Sequence, residues 1–243
     1  MNSIGDIWVY LAASPLLWLG MTLAVYRAGQ WLFWRSGGRA LFNPVALAVT
    51  LLVSLLLLTG TPYTTYFSGA QFIHFLLGPA TVALAVPLYL HWERVRRLFL
   101  PIIAGLLAGS LTAIVSAMGI AWLLGGSPKT LLSLAPKSVT TPVAMGIAEK
   151  IGGLPSLTAV MVIVTGVIGA VAAPALLKGL RIQDDAVKGF AIGVAAHGIG
   201  TARAFQISTL AGAFAGLAIG LNALLTVLLA PLIASLLPFR AMP

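Results

Sequence analysis

The chain reads as long apolar windows separated by short charged loops. Windows near 7–26, 40–59, 71–90, 98–124, 154–177, 186–206 and 211–237 approach or exceed the roughly 20 apolar residues that a helix needs to cross a bilayer. They predict an all-α, polytopic transmembrane helix bundle of about seven spans. A further window near 133–147 is shorter and carries Pro136 and Pro142, each of which removes a backbone donor. That window is predicted to be re-entrant or broken. Between the first two windows, Arg27, Trp31, Phe33, Trp34 and Arg35 form an aromatic, basic stretch suited to the headgroup level.

Two polar runs interrupt this hydrocarbon. One holds Pro136, Lys137, Ser138, Thr140, Thr141 and Pro142; the other holds His197, Gly198, Gly200, Thr201 and Arg203. A charge in nonpolar surroundings costs at least about 2.5–3.5 kcal/mol on insertion scales, so such runs point to a cavity or a ligand site.

Composition sharpens the picture. Of 243 residues, 60% are hydrophobic and 8% charged, against roughly 25% charged in soluble domains. Mean hydropathy is +1.04. The net charge of +9 lies in short loops, as orientation by the positive-inside rule requires, and argues for the bilayer rather than for nucleic acid. The absence of cysteine excludes disulfides, thiolate metal sites and a cysteine nucleophile. Met1–Asp6 lacks the basic start of a signal peptide, so the first window is read as a retained span.

The loops with Arg27, Arg35 and Arg39, and with Arg94, Arg96 and Arg97, are expected on the cytoplasmic side. A re-entrant 133–147 then places Lys178, Arg181, Lys188 and Arg240 there too; a full crossing would put them outside. The re-entrant reading keeps the rule, and it makes spans two to four and six to eight run in opposite directions. Two echoes suggest an inverted repeat, although they imply different alignments. Thr59-Gly60 resembles Thr165-Gly166, and the Pro79 to Pro87 stretch resembles Pro136 to Pro142. Interrupted helices in inverted repeats are a common plan of secondary transporters. The spacings Gly105-xxx-Gly109, Gly189-xxx-Gly193 and Gly212-xxx-Gly216-xxx-Gly220 are read first as close helix packing.

Lys137, with a helix starting after the proline break, would make a pocket for a carboxylate; the alternative is a lysine snorkelling to the interface. Arg203 can hold a carboxylate through paired hydrogen bonds, or it is an ordinary helix-end arginine. His197 and Thr201 share a helix face, and Gly198 and Gly200 are expected to unwind that stretch. His197 could carry a coupled proton or simply bond between helices. Glu149 is read as solvated loop charge, and His74 and His91 as interfacial. Asn43-Pro44 and Asn222 are candidate helix–helix bonding points. HExxH, GxSxG and Walker sequences do not occur, and Gly198-x-Gly200 lacks a dinucleotide context. No enzyme, metal or cofactor is expected.

With PKSVTTPVAM at 136–145 and HGIGTARA at 197–204 in view, the chain resembles the LrgB/CidB family. Tyr63-x-x-Tyr66-Phe67-x-Gly69 and the Gly78–Tyr89 run fit the same pattern, over about Asn43 to Pro231. The resemblance implies one LrgB-like domain, with a first span and interfacial segment over 1–42 and a core over 43–237, in a bacterial inner membrane. It implies a likeness to the plant chloroplast glycolate/glycerate carrier, and a homodimer with elevator-like motion. It implies two roles: a secondary carrier of small monocarboxylates such as glycolate, glycerate, pyruvate or lactate; or a holin/antiholin-like regulator of murein hydrolase activity and lysis beside an LrgA/CidA-type membrane partner. Carried over by motif, Lys137, Ser138, Thr140, Thr141, His197, Thr201 and Arg203 are the substrate-site residues. The breakers are Pro79, Pro87, Pro136, Pro142, Gly198 and Gly200.

Overall fold

The computed structural model describes residues 14–38, 42–83 and 85–236, without the side chains of Leu77, Gly78 and Thr81. The expectations for Met1–Asp6, Arg39 and Arg240 fall outside the described residues. Every regular element among those described is a helix. Packing divides the chain into compact units at 83/84, whereas the sequence reading divides it at 42/43.

The first unit contains α1 (Pro15–Arg35), α2 (Pro44–Thr59), α3 (Tyr63–Phe75) and α4 (Leu77–Ala83). Trp18 is fully buried and meets Tyr66 edge-on, with ring centroids 5.8 Å apart. Gly69 lets α3 approach the backbone of α1 at Pro15 and Leu19. The 27–35 stretch is the end of α1 and not a separate segment. Trp31 and Trp34 are exposed there, with the Arg35 guanidinium 5.4 Å from the Trp31 ring. Asn43 caps its own helix, accepting from the N–H groups of Val45 and Ala46, so it does not bond between helices.

The window 71–90 is not one span. α3 stops at Phe75, four residues before Pro79, and a proline ring collides with the carbonyl four residues earlier.

The second unit holds α5 (Ala85–Leu90), α6 (Trp92–Arg97), α7 (Phe99–Leu123), α8 (Pro128–Leu134), α9 (Thr141–Ile151), α10 (Pro155–Gly179), α11 (Asp185–Ile207) and α12 (Thr209–Leu236). Among the described residues, only α7, α10 and α12 are long and apolar enough to cross a membrane. The seven-span expectation is therefore reduced to three such helices, with the 16-residue α2 apolar but short.

The segments between these helices turn back on themselves. α8 and α9 form one hairpin: Ser133 Oγ accepts from Leu154 N at 2.7 Å, and Thr158 Oγ1 donates to Ser133 O. The chain thus folds back on itself between Ser133 and Leu154. α11 is a second hairpin, and here the expectation of a span over 186–206 is overturned. A straight helix would separate residues 185 and 208 by about 34 Å, yet the Asp185 carboxylate bonds the Ser208 hydroxyl. The reversal lies at His197, with φ 41° and ψ −135°.

α7 runs from the end marked by Arg94 to the end marked by Lys129. The first hairpin enters from the Lys129 end and α10 returns to the Arg94 end. The second hairpin enters from there, where Arg94 and Asp184 are ion-paired at 2.6 Å. α12 runs back until Pro231 and Ser235 line a cleft with Lys129. The loops holding Arg94 and Asp184 thus share one end, as the re-entrant reading requires. Span-then-hairpin occurs over 99–151 and again, reversed, over 155–207. Neither sequence echo pairs these stretches: Gly60 is a left-handed helix cap, while Gly166 sits inside α10.

Apolar packing follows the hairpins. Around the first, Ile114, Met118, Leu131, Val139, Ile147, Val162 and Ala230 form one core. Around the base of the second, Val95, Ile102, Ala186 and Phe214 form another. The first arm of α11 lies against the α12 backbone, since a Cβ on Gly189 or Gly193 would strike the main chain of Ala211 or Ala215. The glycine spacing at 189/193 is close packing, as expected.

Candidate functional site

The two hairpin tips lie side by side in the middle of the second unit, joined by one side chain. Asn222 Nδ2 donates to the Ser138 carbonyl at 3.2 Å in the first tip and to the Val194 carbonyl at 3.0 Å in the second hairpin. Its Oδ1 accepts from Ser110 Oγ of α7 at 2.6 Å and from Thr226 Oγ1 at 3.4 Å. Carbonyls only accept, so the amide orientation is fixed by its partners. Asn222, Ser110 and Thr226 are all buried. The sequence reading gave Asn222 only as a bonding point; an amide in the middle of a 28-residue apolar helix was the signal that marked it.

The first tip, 135–140, is tightly wound. Lys137 N bonds Leu134 O, and Val139 N bonds Pro136 O, both at 3.2 Å. Pro136 is fully buried. Pro142 does not break a helix: it lies within the first two positions of α9, where a missing N–H costs nothing. Thr140 precedes that helix, yet its side chain makes no capping bond. The α9 N-terminus therefore opens toward the tip with its backbone donors uncapped by a side chain. Lys137 is half-buried. No hydrogen bond or ion pair to its ammonium, and none to the hydroxyls of Ser138, Thr140 or Thr141, occurs among the described residues.

The second tip is built around a ring. His197 Nε2 lies 2.9 Å from the Val162 carbonyl of α10; a carbonyl can only accept, so Nε2 carries the proton. Gly166 makes the space, since a Cβ there would come within 2.6 Å of His197 Cε1. Thr201 Oγ1 donates to His197 O at 3.0 Å. A reversal at His197 disturbs the regular partners of nearby carbonyls, and Asn222 and Thr201 supply donors to two of them. Gly198 and Gly200 do not unwind the chain, as neither has positive φ. Gly200 instead lets the two arms close, its missing Cβ facing Ala196 and Ile192.

Asn222 holds the Ser138 carbonyl, next to Lys137, and the Val194 carbonyl, three residues before His197. Arg203 is buried on the return arm, where its Nη1 donates to Gln206 Oε1 at 2.7 Å. The structure thus joins the segments that carry Lys137 and His197 through Asn222, while Arg203 lies six residues along the return arm. Clefts of about 610, 470 and 440 Å³ are lined by other residues. Glu149 is exposed beside the second of these, with Lys129 and Lys150, and forms no ion pair among the described residues.

The model of the LrgB-like family matches residues 22–236. The uncharacterized protein YwbG of Bacillus subtilis is 37% identical over 89% of this chain and 96% of its own length. YxaC of the same organism is 38% identical over 91% and 96%. The antiholin-like protein LrgB of Bacillus mycoides is 30% identical over 90% and 95%. No solved structure matches. A match across nearly the whole chain, containing both polar tips, places the chain in the LrgB-like family.

Proposed function

We propose that this protein binds a small carboxylate where its two hairpin tips meet and moves it across the bacterial inner membrane. One observation supports the reading: two hairpins meet at Asn222, which bonds the Ser138 carbonyl beside the uncommitted Lys137 and the Val194 carbonyl near His197. Broken helices with their ends at the protein centre are how secondary carriers make anion sites without a deep soluble pocket. Lys137 and the α9 N-terminus attract the carboxylate. Ser138, Thr140 and Thr141 bond a neighbouring hydroxyl or carbonyl, and His197 exchanges the coupled proton. Arg203 sits on the return arm as a second cation along the route. Glycolate, glycerate, pyruvate and lactate are the substrates proposed, with a homodimer moving in an elevator-like manner. The twice-occurring span–hairpin order supports an inverted repeat.

A second reading has its own support. Relatives are named antiholin-like, and that name favours lysis control over any particular monocarboxylate; in this reading the protein regulates murein hydrolase activity beside an LrgA/CidA-type partner. Uptake of labelled glycolate into proteoliposomes separates the two. Saturable uptake that Lys137→Ala abolishes supports the carrier. Partner-dependent leakage of large solutes without saturable uptake supports lysis control and removes the carrier reading.

A further inference from the structure

The cleft of about 610 Å³ lies between α7 and the first arm of the second hairpin, away from the tips. Thr112 is the single polar side chain among its lining residues, so it does not suit the carboxylate. On α7 its floor is Pro101, Gly105, Ala108 and Gly109, which carry almost no side-chain volume; Phe190 and Val194 form the opposite wall. It follows α7 from Leu98 to Ala113, about 22 Å at 1.5 Å per residue. A lipid acyl chain covers half of a hydrocarbon core about 30 Å thick. An elongated, almost wholly apolar groove of that length suits a hydrocarbon chain.

Leu98 also lines a second cleft of about 440 Å³, walled by His91, Glu93, Arg94, Arg97 and Asp184. Residues 91–97 and 178–188 together carry six basic side chains and three acidic ones. The Asp184 carboxylate is already committed to Arg94 and to the N–H groups of Ala186 and Val187. Glu93 meets Arg97 only at 3.5 Å, with both side chains largely exposed, a pairing that a phosphate readily replaces. We infer that this composite site holds one anionic phospholipid, its acyl chain along α7 and its headgroup phosphate on Arg97 and Arg94. A bound chain would brace the hairpin arm that ends at Val194.

Native mass spectrometry of the full-length protein in neutral detergent tests this, with phosphatidylglycerol and phosphatidylcholine of identical acyl chains as probes. Phosphatidylglycerol should be retained about tenfold more tightly. Arg97→Gln, which leaves the Arg94–Asp184 pair intact, should bring the two lipids within about twofold of each other. Ala108→Leu, at an exposed position, should weaken retention of both lipids while leaving the melting midpoint unchanged. Equal retention of the two lipids by the unmodified protein overturns the assignment, as does retention unaffected by either variant. Loss of a dimer in Ala108→Leu with lipid retention intact would assign the cleft to a second copy and overturn it equally.

Discussion

The two hairpin tips solve the same geometric problem with opposite chemistry. At 135–140 the chain reverses through prolines and short-range turns, and its polar side chains are left without partners. At 197 it reverses within one residue, and nearly every polar group there is tied down: the ring to Val162, the carbonyl to Thr201, the neighbouring Val194 to Asn222. One tip is shaped to receive, the other to hold. The difference separates side chains left without partners from side chains committed to the fold, even though both runs look equally anomalous in an apolar sequence.

Mutations can break that contrast or sharpen it. The largest loss of stability should follow Asn222→Leu, which strands Ser110, Ser138 O and Val194 O at once. With about 1–3 kcal/mol for each of these buried unsatisfied groups, about 3 kcal/mol or more should be lost in unfolding measured in detergent. A neutral result would show that the tips are not coupled through this amide. Gly166→Ala comes next. Its Cβ displaces the His197 ring and should cost about 1–3 kcal/mol by overpacking. Proteolysis within the second hairpin should rise, while cleavage within the first stays unchanged.

Lys137→Met sharpens the contrast from the other side. Removing an unpartnered ammonium from the interior should raise the unfolding midpoint, while carboxylate uptake falls to background. Destabilisation by this change would mean that the first tip is structural too. Thr201→Val, losing one bond to the His197 carbonyl, should cost about 1 kcal/mol.

The smallest effect lies at the base of the second hairpin. Burial pushes the Asp184 carboxyl up, but the N–H groups of Ala186 and Val187 and the Arg94 guanidinium outweigh it, and the group titrates below the usual carboxylate range. A depressed folded-state pKa stabilises above the unfolded value of about 3.9, and that contribution is lost as pH falls through the folded one. At this exposure it is worth about 1 kcal/mol or less. Unfolding measured between neutral pH and pH 3 should lose that increment in the parent protein and not in Asp184→Asn.

The first hairpin was legible in the sequence because its interruption is chemical: prolines and a lysine cannot sit unnoticed in a span. The second was not, because its polar run carries no proline and the chain turns at a histidine rather than at its glycines. A trace of it was present in the small residues Gly189, Gly193, Ala196, Gly200 and Ala204, which let two arms and α12 lie together. Periodicity alone reads the same residues as one helix face. Once the chain folds back at 197, Arg203 lies on the return arm, where it bonds Gln206, a position that linear spacing does not show. Asn222 as the joint between tips needed the fold, since its partners are backbone carbonyls that no sequence pattern marks.

His197 holds a backbone conformation that side-chain-bearing residues rarely adopt, at a cost of about 1–3 kcal/mol. That cost is met locally by three bonds, from the imidazole to Val162, from Thr201 to the His197 carbonyl and from Asn222 to Val194, so the bend is a shared debt that no single side chain settles alone.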